Sequence, residues 1–168
     1  MGFCCTTRCY NAPHAVELGW LNAMATLDAS TQTNGAVQSY NLPSMSVSNL
    51  EGTVQARTIE IKGKDGTIYW LQYKTSHGPD ASLGTAWKNN LQVKTWNKGS
   101  YSLTLHYASL TAGQSWTALD SSFTVTLVGL TTRTPPLIST AQVQIQFGSG
   151  NPCDGVVCPA QTCYSGTC

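Results

Sequence analysis

The residue types able to do chemistry are few and unevenly placed. Cys4, Cys5 and Cys9 open the chain, Cys153, Cys158, Cys163 and Cys168 close it, and no cysteine lies between Cys9 and Cys153. Four tail cysteines spaced five apart, with Gly and Pro between them, match a small disulfide-stapled knot of the kind found in secreted chains. Structural zinc is the competing chemistry, but its ligand pairs usually sit roughly two to four residues apart, a spacing missing here. All seven cysteines are disulfide candidates, and the odd count leaves at least one thiol without a partner inside the chain. The histidines, His14, His77 and His106, are too far apart to form a metal pair, and no HExxH is present. No serine sits in a GxSxG elbow. The eight acids are scattered, and nothing selects a carboxylate pair for glycoside chemistry. Each histidine also has a plain reading: His14 caps or packs, His77 lies in a Ser-His-Gly-Pro turn, and His106 is solvated on a polar strand face. Asp28, Asp65 and Asp80, beside Ser, Thr or Gly, read as turn residues before calcium ligands. Five Trp and seven Tyr could form a sugar-stacking platform, although core packing and cross-strand pairing account for them more simply.

Composition narrows the field further. The 168 residues carry a net charge of +1, and only 10% are charged, against roughly 25% in an average soluble domain. Hydroxyls replace charge: there are 22 Thr and 16 Ser. Without a basic excess to neutralise phosphates, nucleic acid is excluded as a partner. No apolar run approaches the roughly 18 residues of a membrane span. Met1 to Tyr10 contains no apolar h-region, so no signal peptide is present, although the cysteines point to export. Met1-Gly2-Phe3-Cys4-Cys5-Thr6 also fits myristoylation with palmitoylation. That reading would leave the tail cysteines outside an oxidising compartment.

The elements that must position these residues are mostly strands. The stretch Asn11 to Met24 is helix-like: Asn11 can cap, Pro13 is tolerated in the first turn, and Gly19 weakens continuation past Leu18. Beyond it the apolar period changes from 3.6 to 2. Strands are predicted over 54–62, 67–75, 91–96, 101–107, 123–127 and 141–147. Lys64-Asp65-Gly66 supplies the turn of a hairpin, and Asn97-Lys98-Gly99 joins another pair. In 101–107, Tyr101, Leu103, Leu105 and Tyr107 are expected on one face. In 141–147, Val143, Ile145 and Phe147 point to a core while the Gln residues face solvent. The expected fold is therefore mainly β: an antiparallel β-sandwich preceded by one short α-helix, with a disulfide-rich C-terminal tail.

The N-terminal run Met1-Gly-Phe-Cys-Cys-Thr-Thr-Arg-Cys-Tyr-Asn-Ala-Pro-His-Ala-Val-Glu-Leu-Gly-Trp20 closely resembles the segment after the zinc helix of the gametolysin family, metzincin-like zinc metallopeptidases that degrade algal cell walls and extracellular matrix. The resemblance implies that Met1 is the Met-turn methionine beneath the zinc. It makes Cys4, Cys5 and Cys9 a loop, and Asn11, Pro13, His14, Leu18, Gly19 and Trp20 the motif of the following helix. A weaker likeness covers Tyr69 to Lys74 with Gly78-Pro-Asp80, where Lys74 stands in place of the family's Arg and so lacks its planar, bidentate donor. Leu91 to Trp96 looks like the next strand, and the likeness extends over residues 1 to 147. The tail is similar to cysteine-rich modules at the ends of secreted algal proteins.

Three segments follow from this likeness: 1–30, the end of a metallopeptidase domain; 31–147, the β-sandwich; and 148–168, linker and cysteine-rich tail. The zinc-binding histidines and general-base Glu would precede Met1, so no catalytic or metal-binding residue and no cofactor is expected in this chain. Zinc belongs to the full-length family member. The implied whole is a secreted, extracellular enzyme acting on matrix or cell-wall glycoproteins, with this chain inactive alone. A non-catalytic secreted module that binds matrix sugar or glycoprotein is the competing reading. Cut free of a peptidase core, residues 1–30 are expected to be the least well packed.

Overall fold

The computed structural model describes residues 11–45, 55–77, 80–81, 84–96, 104–133 and 138–148. Met1 and all seven cysteines lie outside this set, as does the turn at Asn97-Lys98-Gly99.

One short helix leads into two sheets. Helix α1 spans Ala12–Glu17, and the strands are β1 (Leu21–Asp28), β2 (Val37–Pro43), β3 (Gln55–Lys62), β4 (Ile68–Lys74), β5 (Asn90–Thr95), β6 (Leu105–Leu110), β7 (Ser115–Thr117), β8 (Phe123–Thr131) and β9 (Thr140–Phe147). The first sheet has the order β1-β3-β4-β5-β6, and the second β2-β9-β8-β7. Among the described residues every pairing is antiparallel except β1 with β3, which run parallel.

Period-2 alternation builds the core. In β4, Tyr69, Leu71 and Tyr73 point inward; in β9, Ala141, Val143, Ile145 and Phe147 do; in β8, Phe123, Val125 and Leu127 do. These side chains are at most 1% exposed, and each Val, Leu, Ile or Phe among them contributes roughly 1.5–3 kcal/mol of burial free energy. An aromatic cluster of Tyr69, Tyr107, Trp116 and Phe123, with ring centroids 5.3–6.1 Å apart in tilted or edge-on geometry, closes one end. There Asp120, in the β7–β8 turn, accepts a 3.1 Å hydrogen bond from the backbone N–H of Asp65, in the β3–β4 turn. The two sheets are thereby joined through their turns.

Several expectations are corrected by the structure. The helix stops at Glu17 and does not run to Met24. Leu18 is the C-cap, Gly19 takes φ +71°, and Trp20 N–H reaches back to Ala15 O at 2.9 Å while Gly19 N–H bonds Val16 O at 3.0 Å. This is a Schellman C-cap, which needs a residue tolerant of the left-handed conformation at that site. Leu21 and Met24 therefore belong to β1. Three strands were not evident in the sequence: β1, which overlaps the helix-like stretch up to Met24; β2, whose polar Gln38, Ser39 and Asn41 interrupt its apolar residues; and β7, only three residues long. Leu105, expected inside with Tyr107, is 54% exposed at the start of edge strand β6. A register shift between Val93 and Lys94 in β5 accompanies this change. The β3–β4 hairpin forms as expected, with Gly63 N–H bonded to Thr67 O at 2.8 Å and Gly66 at φ +84°.

The segment 1–30 is unevenly packed where it is described. Leu18 and Trp20 are 51% and 47% exposed, whereas Ala12, Ala15, Leu21, Leu27 and Ala29 are buried.

Candidate functional site

The outer face of the first sheet holds the arrangement with most chemical content. Cross-strand register places two rows there. One runs Thr58, Gln72, Gln92, Ser109, and the next runs Glu60, Trp70, Lys94, His106. Helix α1 lies against this face, with its buried side formed by Ala12, Pro13 and Ala15.

The helix is held by a relay of side-chain amides. Ala12 N–H, which has no partner within so short a helix, donates to Gln72 Oε1 at 2.6 Å. Gln72 Nε2 donates to Gln92 Oε1 at 2.7 Å. Gln92 Nε2 in turn donates to Trp87 O at 2.8 Å and lies 3.4 Å from Asn90 Oδ1. Gln72, Gln92 and Asn90 are 0%, 1% and 4% exposed. The relay is therefore a satisfied buried network, the condition under which such networks rigidify a fold. At the helix start, Asn11 Oδ1 accepts from His14 N–H at 3.4 Å as the N-cap. The Asn11 Nδ2 group donates to Thr104 Oγ1 at 3.0 Å. The His14 ring meets Trp96 edge-on at 5.5 Å.

The motif residues expected from the sequence thus fall into three physical roles. Asn11 begins α1 and ties it to the chain before β6. Pro13 and His14 fill the first turn, His14 by packing on Trp96. Leu18, Gly19 and Trp20 end the helix and turn the chain into β1.

Beside the relay, Lys74 Nζ and Asp80 Oδ1 form an ion pair at 3.1 Å, with side chains only 6% and 2% exposed. The pair joins the end of the Tyr69–Lys74 strand segment to Asp80, so Lys74 fills the expected cationic position. Asp80 lies in a tight turn, as expected, and is in addition a buried ion-pair partner. Asp28 and Asp65 also act in turns. Asp28 Oδ1 accepts from Ser30 N–H and Oγ–H, and Asp65 accepts from Thr67 N–H and Oγ–H. Hydrogen bonds from Ser30, helped by Lys62, lower the Asp28 carboxyl to about 2.

The other two histidines do not join His14. His106 packs edge-on against Trp87 at 4.7 Å, and its Nε2 lies 3.1 Å from Ser109 Oγ. Its pKa, like that of His14, is lowered first by burial and further by nearby Lys94. His77 Nδ1 is buried without a hydrogen-bond partner. Among the described residues no three His, Cys, Asp or Glu side chains converge as a metal site. Sequence reasoning missed Gln72, Gln92, Asn90 and Arg57, a 1% exposed guanidinium whose Nη1 donates to Ser44 O at 3.2 Å. Only Arg57 carried a signal, as a charge inside an apolar-periodic strand.

Between α1 and strands β3–β5 lies a groove of about 150 Å³. Val16, Ile68, Trp70 and Trp96 form its apolar walls, and Glu17 and Glu60 bring carboxylates to it.

The gametolysin peptidase M11 family model matches residues 1–121. The chain belongs to the gametolysin peptidase family. The match takes in α1, the whole first sheet, β2 and β7, and stops just before β8. No curated protein and no solved structure matches the chain. Zinc is the metal the gametolysin family implies, and the described side chains do not fit it. His14 and His106 are engaged with indoles, the described carboxylates do not converge on either, and no open three-donor set exists among these residues. In the gametolysin chain described here, the developed feature is a helix clamped on a sheet.

Proposed function

We propose that this chain serves a secreted gametolysin-type metallopeptidase, acting on extracellular-matrix or cell-wall glycoproteins, as the support of its active-site floor. The observation that carries the reading is the clamp on α1. Residues 11–20, whose sequence resembles the helix after the family's Met-turn, contain a helix capped at both ends, held to the sheet by Gln72 and to the chain before β6 by Thr104. A Met-turn does not bind zinc; it lies beneath the ligands, and fixing the helix that follows it fixes the floor. The 168 residues contain three histidines and no HExxH, so the zinc ligands and the general base must come from elsewhere. Without three protein ligands no open-site zinc forms, and no bound water is brought to a pKa of about 7.

The chain by itself is therefore not proteolytic. The test is to purify it, supply zinc and assay it on gelatin and on cell-wall glycoprotein. No cleavage is expected, and chelator-sensitive cleavage by the pure chain would overturn the reading.

A further inference from the structure

From the contacts at the end of β9 we infer that Asn34–Gly35 is a gated self-modification site. Asn34 is converted there to aspartyl and isoaspartyl residues through a succinimide, and only when the end of β9 detaches. The inference goes beyond the peptidase reading and does not depend on it.

The residue pair supplies the chemistry. Asn34–Gly35 is the sole Asn-Gly step in the 168 residues. Glycine has no Cβ, so its amide nitrogen is the least hindered that can follow an asparagine. The Gly35 nitrogen attacks Asn34 Cγ. The N–Cγ bond forms, the Cγ–Nδ2 bond breaks, and the Gly35 amide proton leaves with the side-chain nitrogen as ammonia. Water then opens the ring at either carbonyl, giving aspartate or its β-linked isomer at position 34. Water is the only other reactant, and Asn34 is exposed to it.

The fold supplies the gate. Asn34 and Gly35 lie between β1 and β2, in a turn closed by Ala36 N–H to Thr33 O at 3.0 Å, with Gly35 at φ +81°. Gly35 N–H, the group that must attack, donates to Phe147 O at 2.7 Å. Phe147 N–H donates in return to Ala36 O at 2.9 Å, and Gly148 N–H donates to Ser122 O at 2.7 Å. Phe147 is a core residue, 1% exposed, so these bonds anchor the end of β9 beside the core. Attack requires Gly35 N to lose its proton and turn toward Asn34 Cγ, and both are opposed while it donates to Phe147. The Asn34 amide is held as well. It packs so closely on Gly148, at φ +66°, that a Cβ there would collide with Asn34 Oδ1. The reaction therefore needs β9 to lift from Gly35, a local opening short of global unfolding.

The product locks that opening. The β-linked isomer adds one carbon to the main chain at residue 34. Gly35 N–H and Ala36 O then no longer meet Phe147 in their present register, and a transient detachment becomes permanent.

The experiment incubates the full 168-residue chain under mildly alkaline conditions, folded, in sub-denaturing urea and fully denatured. Peptide mass spectrometry reads conversion at each asparagine, isoaspartyl methyltransferase labelling reads the β-linked isomer, and hydrogen exchange reads the Gly35 and Phe147 amides. In the denatured chain Asn34 should convert ahead of every other asparagine. In the folded chain its conversion should be slower by at least about tenfold, and low urea should speed it in proportion to Gly35 exchange. The converted chain should exchange faster at Phe147. Gly148→Ala, which displaces the Asn34 side chain, should speed conversion; should that variant fail to fold, the urea series carries the test. Three results would overturn the inference: folded conversion as fast as denatured, a rate unmoved by urea that speeds Gly35 exchange, or unchanged Phe147 protection after conversion. None of them touches the peptidase reading, which stands or falls on the zinc assay.

Discussion

The two outer faces of this sandwich are built from similar residues and have opposite fates. On the second sheet, Gln142, Gln144 and Gln146 of β9 lie beside Thr124 and Thr126 of β8, and all are at least partly exposed. Their hydroxyls pair only locally: Ser115 with Thr126 at 2.8 Å, and Thr117 with Thr124 at 3.0 Å. On the first sheet, Thr58, Gln72, Gln92 and Asn90 occupy equivalent outward positions and are almost wholly buried. The difference is what is docked on them: the Ala12 N–H of α1 donates to Gln72, and the turn at Thr85–Trp87 accepts hydrogen bonds from Gln92 and Asn90. An amide facing water exchanges one partner for another at little net cost. A buried amide is worth its full desolvation penalty if its partner is lost. The polar half of an alternating strand therefore marks solvent only where nothing is docked on it.

This contrast can be broken most sharply at Lys74. Replacing it by Met leaves the Asp80 carboxylate buried without its ion-pair partner and should cost about 3–5 kcal/mol, read as a lowered denaturant midpoint. A loss below about 1 kcal/mol would instead place the pair with surface bridges. Next in size is Gln72→Leu, which strips acceptor and donor from the middle of the relay. It should cost about 1–3 kcal/mol and speed hydrogen exchange at the Ala12 amide. Unchanged protection at Ala12 would show that the clamp is held by apolar packing alone.

Acidification should separate the faces again. Folding favours neutral His14 and His106, so the unfolded chain takes up protons first. Their contribution is complete above the unfolded value of about 6.5 and is lost as pH falls below it toward the lower folded values. Urea midpoints at about pH 7.5 and pH 5 should differ, and His14→Gln together with His106→Gln should flatten the slope. Asp28 acts in a separate window, lost only as pH falls below about 4 toward its folded value of about 2. The smallest effect belongs to Gln144→Leu on the open face, expected within about 0.5 kcal/mol. A cost equal to that of Gln72→Leu would erase the contrast.

Much of the fold was legible because its signals are local. The alternation of Tyr69, Leu71 and Tyr73, and that of Val143, Ile145 and Phe147, depends only on residue order. The Asp65-Gly66 turn is equally local, since Gly66 meets a φ requirement that few other residues meet. Asn11 and Gly19 likewise announced the two ends of a helix, although its length was overread because Leu21 and Met24 also satisfy a helical period. Two strands that escaped, β1 and β2, are sheet-edge strands: β1 pairs in parallel with β3 and its start was absorbed into the helix-like stretch up to Met24, and β2 pairs with β9, about a hundred positions away. The relay was not legible at all. Nothing about Gln72 distinguishes it from Gln144 until the helix is seen above it.

The sequence by itself determined the class of fold, the caps of α1, the β3–β4 hairpin turn and the resemblance to the gametolysin family, because each rests on periodicity, backbone preference or a contiguous motif. Only the tertiary structure decided which polar face is buried, that Lys74 and Asp80 meet, and that Trp70, Trp96, Glu17 and Glu60 share one groove. Those facts depend on contacts between residues up to 79 positions apart, as Glu17 and Trp96 are. Chain order does not specify such contacts, whereas the packing of α1 on the first sheet does.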